Sequence, residues 1–130
     1  MASTHTLVHL DDVKDLAPDF GLQAMGSARF PREQLGAERI GLGAYDMNPD
    51  QRVGFGHRHA ESEEVYVVLD GSGRFKVEDE VFDVRNGDIV YVRPDAMREW
   101  QAGPGGMRLL AFGGHRDGEE SHMEPGWWTD

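Results

Sequence analysis

The stretch that decides the fold is HRHAESEEVYVVLDG, residues 57–71. Residues 65–69 are rich in β-branched and aromatic side chains, which predicts a strand. His57 and His59 are two positions apart, so on an extended chain their side chains point to the same face. Glu64 begins the next strand, and a hairpin would bring its carboxylate beside the two imidazoles. Two neutral imidazoles and one carboxylate suit Fe(II), Mn(II), Zn(II) or Ni(II), so these three residues are candidate ligands of a divalent metal.

Short strands separated by turns continue on both sides of this stretch. The predicted strands lie at 6–10, 22–30, 39–45, 65–69, 74–78, 81–84, 89–92, 98–102 and 107–112. Turns rich in glycine, aspartate or asparagine separate several of them, at 70–73, 79–80, 86–88 and 103–106. One capped helical turn is predicted at 11–16, stopped by Pro18. The pattern predicts an all-β protein, an antiparallel sandwich or barrel.

Length and composition exclude several classes of protein. With 130 residues, the chain is expected to form one domain over 1–130, with a barrel core at about 22–114 and a C-terminal tail at 115–130. Its net charge of −11 and pI of about 4.8 argue against a nucleic-acid partner, which needs a basic face. The absence of cysteine excludes disulfides and thiolate metal sites, so any metal must be held by imidazole and carboxylate.

The sequence also predicts the cellular location of the protein. No apolar run approaches the roughly 20 residues that span a bilayer, so no membrane partner is expected. The first residues do not resemble a signal peptide, because no basic start leads into a long apolar stretch. We therefore expect a cytoplasmic protein.

Two motifs resemble those of the cupin superfamily. The first is the HxH pair, four residues, Glu64, six residues and Gly71. The second is GDIVYVRPDAMR, residues 87–98, which resembles the pattern of a glycine, five residues and a proline–glycine turn leading to a final histidine. The resemblance spans residues 51–102. It implies a single-domain cupin barrel, the double-stranded β-helix or jelly roll, with a metal-binding pocket and oxygenase, isomerase or lyase chemistry in different members.

The chain departs from the cupin pattern at informative positions. Gln51 stands where the first motif has glycine, and Arg93, Pro94 and Asp95 replace the usual proline–glycine turn. Arg98 occupies the position of the fourth metal ligand, a histidine in metal-binding cupins. Because a guanidinium stays protonated and offers only donors, it cannot ligate a cation.

Two interpretations follow from Arg98. In the first, His57, His59 and Glu64 still hold a metal, and Arg98 leans away to orient a small polar or anionic substrate. In the alternative, Arg98 pairs with Glu64 in place of the metal, and the barrel is a metal-free, non-catalytic sensor or carrier. A structural dimer with a vestigial pocket is a third interpretation.

Further residues are candidates for the same pocket or for a contact between subunits. The two-residue period places Tyr66 on the face of Glu64 and Trp100 on that of Arg98, so both are predicted to contact the ligand together with Arg98. His115, just after the last predicted strand, is a candidate replacement ligand. Trp127 and Trp128 are expected to pack on the barrel or on a second subunit, and small cupins are commonly dimeric, so we expect a homodimer.

Overall fold

Two long strands organise the fold in the computed structural model, which describes residues 4–130. These are β4 (Glu64–Val77) and β7 (Arg98–Gly114). The other strands are β1 (Gly26–Arg29), β2 (Ile40–Met47), β3 (Phe55–His59), β5 (Glu80–Arg85), β6 (Ile89–Val92) and β8 (Ser121–Pro125). A short helix, α1 (Arg32–Leu35), and three 3-10 turns (Leu10–Asp12, Pro18–Phe20 and Gln23–Met25) complete the regular structure of the described residues.

β4 and β7 each serve both halves of a curled antiparallel sheet. In the first half the order is β1-β2-β7-β4-β6, and Val67 of β4 pairs with both Leu110 and Ile89. In the second half the order is β5-β4-β7-β3-β8, and Phe75 of β4 pairs with Trp100. This arrangement confirms the predicted all-β jelly-roll barrel.

Glycines let β4 and β7 cross closely where they pass from one half to the other. The pairing shifts register between Gly71 and Gly73 of β4, while residues 103–106 of β7 lie outside the ladder. Gly71 has φ +82°, and a Cβ there would lie 2.3 Å from the carbonyl oxygen of Gly106. A Cβ on Gly73 would lie 2.1 Å from the carbonyl oxygen of Gln101. The predicted turns at 70–73 and 103–106 are therefore wrong, because these glycines bend continuous strands rather than end them.

The termini also differ from the sequence-based expectation. Residues 5–9 lack regular structure instead of forming a strand, and the helical turn is a 3-10 turn that begins at Leu10. The strand predicted at 22–30 pairs only over Gly26–Arg29, after a 3-10 turn. β8 was not predicted, because its residues are exposed and carry no alternating pattern. The strands predicted at 39–45, 81–84 and 89–92 are confirmed, with bounds shifted by up to two residues.

The core lies between the two halves and carries a cluster of aromatic rings. Trp100 is buried at its centre, with ring centroids 5.0 Å from Tyr66, 5.1 Å from Tyr45 and 5.8 Å from Phe75. Edge-to-face and tilted contacts of this kind stabilise a core beyond the area they bury. The cluster forms a rigid floor beneath the site described below.

The C-terminal tail packs on the barrel. Trp128 is buried, and the guanidinium of Arg52 lies 4.2 Å from the centroid of its ring. Trp127 lies over Gly56, where a Cβ would approach its ring to 2.6 Å. Both tryptophans therefore pack on the barrel of their own chain, which is one of the two expected positions. The homodimer stays a prediction. Among the described residues, no helix is long and apolar enough to cross a membrane.

Candidate functional site

The structure brings the three predicted metal ligands together. His57 and His59 alternate with Arg58 on β3, and Glu64 is the first residue of β4. Glu64 Oε1 lies 3.0 Å from His57 Nε2 and 3.2 Å from His59 Nε2. One potential ligand atom from each residue lies within 4.8 Å of the others. We call these three residues the His–Glu cluster.

The same carboxylate oxygen also contacts Arg98 and Tyr66. Arg98 Nη2 lies 3.2 Å from Glu64 Oε1, and the Tyr66 hydroxyl donates a hydrogen bond to that oxygen at 2.5 Å. Arg98 is fully buried, and its Nε donates to the Tyr66 hydroxyl at 3.1 Å. Its Nη1 donates to backbone carbonyls, the shortest bond being to Ala96 at 2.7 Å. Arg98 is therefore held in place by the protein on almost every side, and its charge faces Glu64.

The surroundings fix the protonation states of the cluster. Burial by itself raises the pKa of Glu64, but hydrogen bonds from His57 and Tyr66 outweigh it and hold that pKa far below its usual range. Burial lowers the pKa of His57, although the neighbouring carboxylate acts in the opposite direction. At neutral pH Glu64 is an anion and His57 is neutral, which are the forms that a metal ion requires of its ligands.

The atoms of His59 match the requirements of a metal ligand. Its Nδ1 lies 3.0 Å from Ser121 Oγ on β8. When Nδ1 donates that bond, Nε2 presents a lone pair toward Glu64, and this buried atom has no aligned hydrogen-bond partner. A lone pair that faces an anionic oxygen at 3.2 Å is repelled by it, and a cation bound to both atoms would remove this repulsion. The donor set of the His–Glu cluster therefore fits a divalent metal with three protein ligands.

A cleft of about 300 Å³ leads to the cluster. His59 and Glu64 lie at its base, and Arg32, His115 and Arg116 are on its walls. His115 Nε2 bonds Asp117 Oδ1 at 3.0 Å instead of joining the cluster. The structure therefore does not bring His115 to the position of a replacement ligand, and it lines the entrance.

The predicted ligand-contacting residues lie beneath the cluster. Arg98, Tyr66 and Trp100 are all at most 1% exposed and are packed against other protein atoms. Arg98 and Tyr66 support Glu64 through the contacts described above, and Trp100 packs on the ring of His57 at 6.1 Å between centroids. Direct contact of these three residues with a ligand stays a prediction.

Sequence reasoning missed two residues of the site. Tyr45, on β2, lines the cleft, and burial together with the charge of Glu64 raises its pKa well above the usual range. The alternation of Gly43 and Tyr45 in the predicted strand could have placed this ring inward. Ser121 could not have been found, because only the unpredicted strand β8 brings its hydroxyl to His59.

Comparisons with solved structures agree with this fold. A cupin protein from Bacteroides fragilis is 17% identical, with 92% of this chain and 91% of that chain covered and a TM-score of 0.72. The polyketide cyclase RemF from Streptomyces resistomycificus is 21% identical, with 96% and 87% covered and a TM-score of 0.71. Oxalate decarboxylase from Bacillus subtilis is 20% identical with a TM-score of 0.73; the match covers 94% of this chain but 33% of that longer chain. At these identities the likeness shows the fold alone.

Sequence comparisons identify the family. An uncharacterized protein of Methanocaldococcus jannaschii is 42% identical over 38 residues, which are 29% of this chain and 30% of that protein. The chain therefore matches less than a third of this relative's length. The family model for the cupin domain matches residues 44–112, just over half of the chain, and these include the whole His–Glu cluster and Arg98. The chain belongs to the cupin family.

Proposed function

We propose that this protein binds a divalent metal through His57, His59 and Glu64, and with it binds or converts a small polar or anionic molecule in the barrel. The observation that carries the proposal is the convergence of three suitable ligand atoms within 4.8 Å of one another, with His59 and Glu64 at the base of an accessible cleft. Fe(II), Mn(II), Zn(II) and Ni(II) all accept such a donor set.

Charge favours an anionic group on the ligand. Glu64 and the buried Arg98 neutralise each other, so a bound divalent ion would leave its full positive charge to attract an oxygen anion. The metal would supply a Lewis acid that polarises the bound molecule. The protein itself contributes the ionised carboxylate of Glu64, the orientation of His59 through Ser121, and a largely buried setting.

In this proposal Arg98 is a positioning residue. Its guanidinium fixes Glu64 from beneath and is itself held by the Tyr66 hydroxyl and the Ala96 carbonyl. Two structures that share this fold are named as enzymes, an oxalate decarboxylase and a polyketide cyclase, and their reactions differ. The fold does not select the reaction.

Metal content of protein purified without an affinity tag tests the proposal. After incubation with Fe(II), Mn(II), Zn(II) or Ni(II) and removal of the excess, we expect about one equivalent of one of these metals per chain, measured by elemental analysis. His59→Ala should lose it. His122→Ala is the matched control, because this exposed histidine lies on β8 outside the cluster. Absence of metal from the wild type under all four conditions would overturn the proposal.

The contact of Arg98 with Glu64 favours a second candidate, a metal-free binding protein. A buried guanidinium 3.2 Å from the carboxylate already supplies a positive charge at the cluster. In that case the wild type would bind no metal, and the same ligand affinity would be measured with and without a chelator. Ligand binding that disappears on chelation would exclude this candidate.

A further inference from the structure

A large apolar cavity lies beside the cleft. Its volume is about 580 Å³, within the range of small-molecule sites, and apart from the Tyr45 hydroxyl every lining side chain is apolar. The N-terminal segment forms one wall, and β3 and β8 form the other. Its main contributors are Leu16, Leu22, Met25, Phe55, Met123 and Pro125.

The cavity adjoins the surroundings of the His–Glu cluster. Phe30 and Tyr45 line both the apolar cavity and the cleft that contains His59 and Glu64. On β3, Phe55 lines the cavity and is followed two residues later by His57, with 6.0 Å between the ring centroids. A molecule that fills the cavity and extends past these two rings would thus reach the cluster with one end.

The walls suit an apolar body that contains a ring. Phe30 and Tyr45 meet edge to face, 5.8 Å between centroids, at the junction of the two spaces. Phe20 and Met123 lie at the rim and are 69% and 55% exposed, so they present apolar surface that a bound molecule would cover. Aromatic rings pack favourably on such side chains.

We propose that the ligand of this protein has an apolar, ring-containing body that fills this cavity and an anionic oxygen group that reaches the His–Glu cluster. The second half of this statement rests on the proposed function; the first half rests on the cavity alone. The substrate class is therefore aromatic acids and related oxygen anions, in preference to small, fully polar molecules.

Binding of 2-naphthoate and acetate to the tag-free protein, in the metal-loaded form where one exists, tests the inference. Calorimetry should show 2-naphthoate binding at least about tenfold tighter than acetate, because only naphthoate buries an aromatic body. Amide signals of residues 16–28 should shift with naphthoate and not with acetate in two-dimensional NMR spectra. This measurement uses the wild type and needs no variant to fold.

Two variants separate the two halves of the inference. Leu22→Trp fills the cavity and should reduce naphthoate affinity about tenfold while leaving acetate unchanged. Leu69→Trp, a similar change at an exposed position that does not line the cavity, should behave as wild type. His59→Ala should weaken both ligands, because it removes part of the cluster.

Each other outcome rejects a defined part of the inference. Equal affinity for the two ligands, or naphthoate binding that Leu22→Trp leaves intact, overturns the role of the cavity without touching the His–Glu cluster. Naphthoate binding that is lost in Leu22→Trp but unaffected by His59→Ala rejects the cluster as the anchor of the anionic group. Failure of both ligands to bind the wild type overturns the whole inference, whereas the metal content of the protein decides the proposed function separately.

Discussion

Arg98 Nη2 lies 3.2 Å from Glu64 Oε1, and the guanidinium that makes this contact is completely buried. Arg98, which cannot ligate a metal, thus contacts Glu64, whose carboxylate can. This pair connects β7 to β4 at the base of the cleft, so its effect on stability and its effect on metal binding can be measured separately.

Arg98→Leu should destabilise the protein strongly. The change leaves Glu64 without its cation and removes donors from the Tyr66 hydroxyl and from backbone carbonyls. We expect a loss of about 3 kcal/mol in the free energy of unfolding, measured by urea denaturation. Arg108→Leu is the control, since the ion pair of Arg108 with Asp46 is long and exposed, and it should cost under about 1 kcal/mol. Similar losses in the two variants would contradict the structural role of Arg98.

Arg98→His should increase metal affinity. An imidazole beside Glu64 adds a fourth donor and removes the positive charge that competes with the ion. We expect the dissociation constant to fall by about tenfold or more in a competition titration with a chelator. Arg98→Gln separates the two causes, because it removes the charge without adding an imidazole. Unchanged affinity in Arg98→His would show that this position does not face the bound ion.

Glu99→Gln should make the protein more stable at neutral pH. Glu99 is 2% exposed, its Oε2 accepts a hydrogen bond from the Gly54 amide at 3.2 Å, and burial raises its pKa. Since the folded state binds the proton more tightly than the unfolded state, the stability contributed by this group falls as the pH rises above the ordinary value of 4.5.

The measurement is urea denaturation of the wild type and Glu99→Gln at pH 4 and pH 7. The variant should gain stability over the wild type at pH 7, and the gain should shrink at pH 4, where the carboxyl is mostly protonated in both the folded and the unfolded state. A difference that is equal at the two pH values would show that ionisation of Glu99 carries no penalty in the folded protein.

Trp128→Ala should loosen the C-terminal tail. The ring of Trp128 is buried, and the guanidinium of Arg52 stacks on it while donating to the carbonyl of Trp128 at 2.7 Å. We expect a loss of about 3 kcal/mol in unfolding free energy and faster amide exchange in β8, which the tail anchors. Thr129→Ala, at the exposed next position, should have little effect. Unaltered exchange in β8 would show that the tail does not hold this strand.

The expected homodimer would form through the outer face of the sheet half that contains β6. Ile89, Tyr91 and Phe112 are 68%, 57% and 40% exposed there, on either side of Val65 and Val67 of β4. Because each chain carries a charge of −11, two copies repel least across a face of apolar side chains.

The oligomeric state follows from light scattering coupled to size-exclusion chromatography. The wild type should have twice the chain mass of 14.5 kDa, and Ile89→Glu should have the mass of one chain. Leu7→Glu, at an exposed apolar residue in the N-terminal segment, is the control and should remain dimeric. A monomeric wild type would contradict the dimer, and a dimer that persists in Ile89→Glu would place the interface elsewhere.

The sequence was informative where a local pattern determines the geometry. The spacing of His57 and His59 is sufficient to place both side chains on one face, because side-chain direction alternates along strands. The hairpin expected to bring Glu64 beside them is wrong, because β3 pairs with β7 and β8 instead, and Glu64 approaches from the other half of the sheet. The second motif placed Arg98 beside them, as observed.

The structural features that the sequence did not predict depend on contacts between segments that are distant in the sequence. A glycine pair such as Gly71 and Gly73 is typical of a turn, and only the passage of β7 across it keeps β4 continuous. In the same way, β8 is a strand because the edge of β3 is available, and its own side chains carry no strand pattern. The burial of Arg98 depends on carbonyls from separate segments, which no spacing in the sequence reveals.

Because β4 and β7 run through both halves of the sheet, they also determine how the protein unfolds. Neither half contains a complete set of strands of its own, so one half cannot melt and leave the other intact. Unfolding should therefore be a single cooperative transition, with the slowest-exchanging amides along these two strands. Glu64 begins one of them and Arg98 begins the other, so the candidate site persists for as long as the molecule is folded.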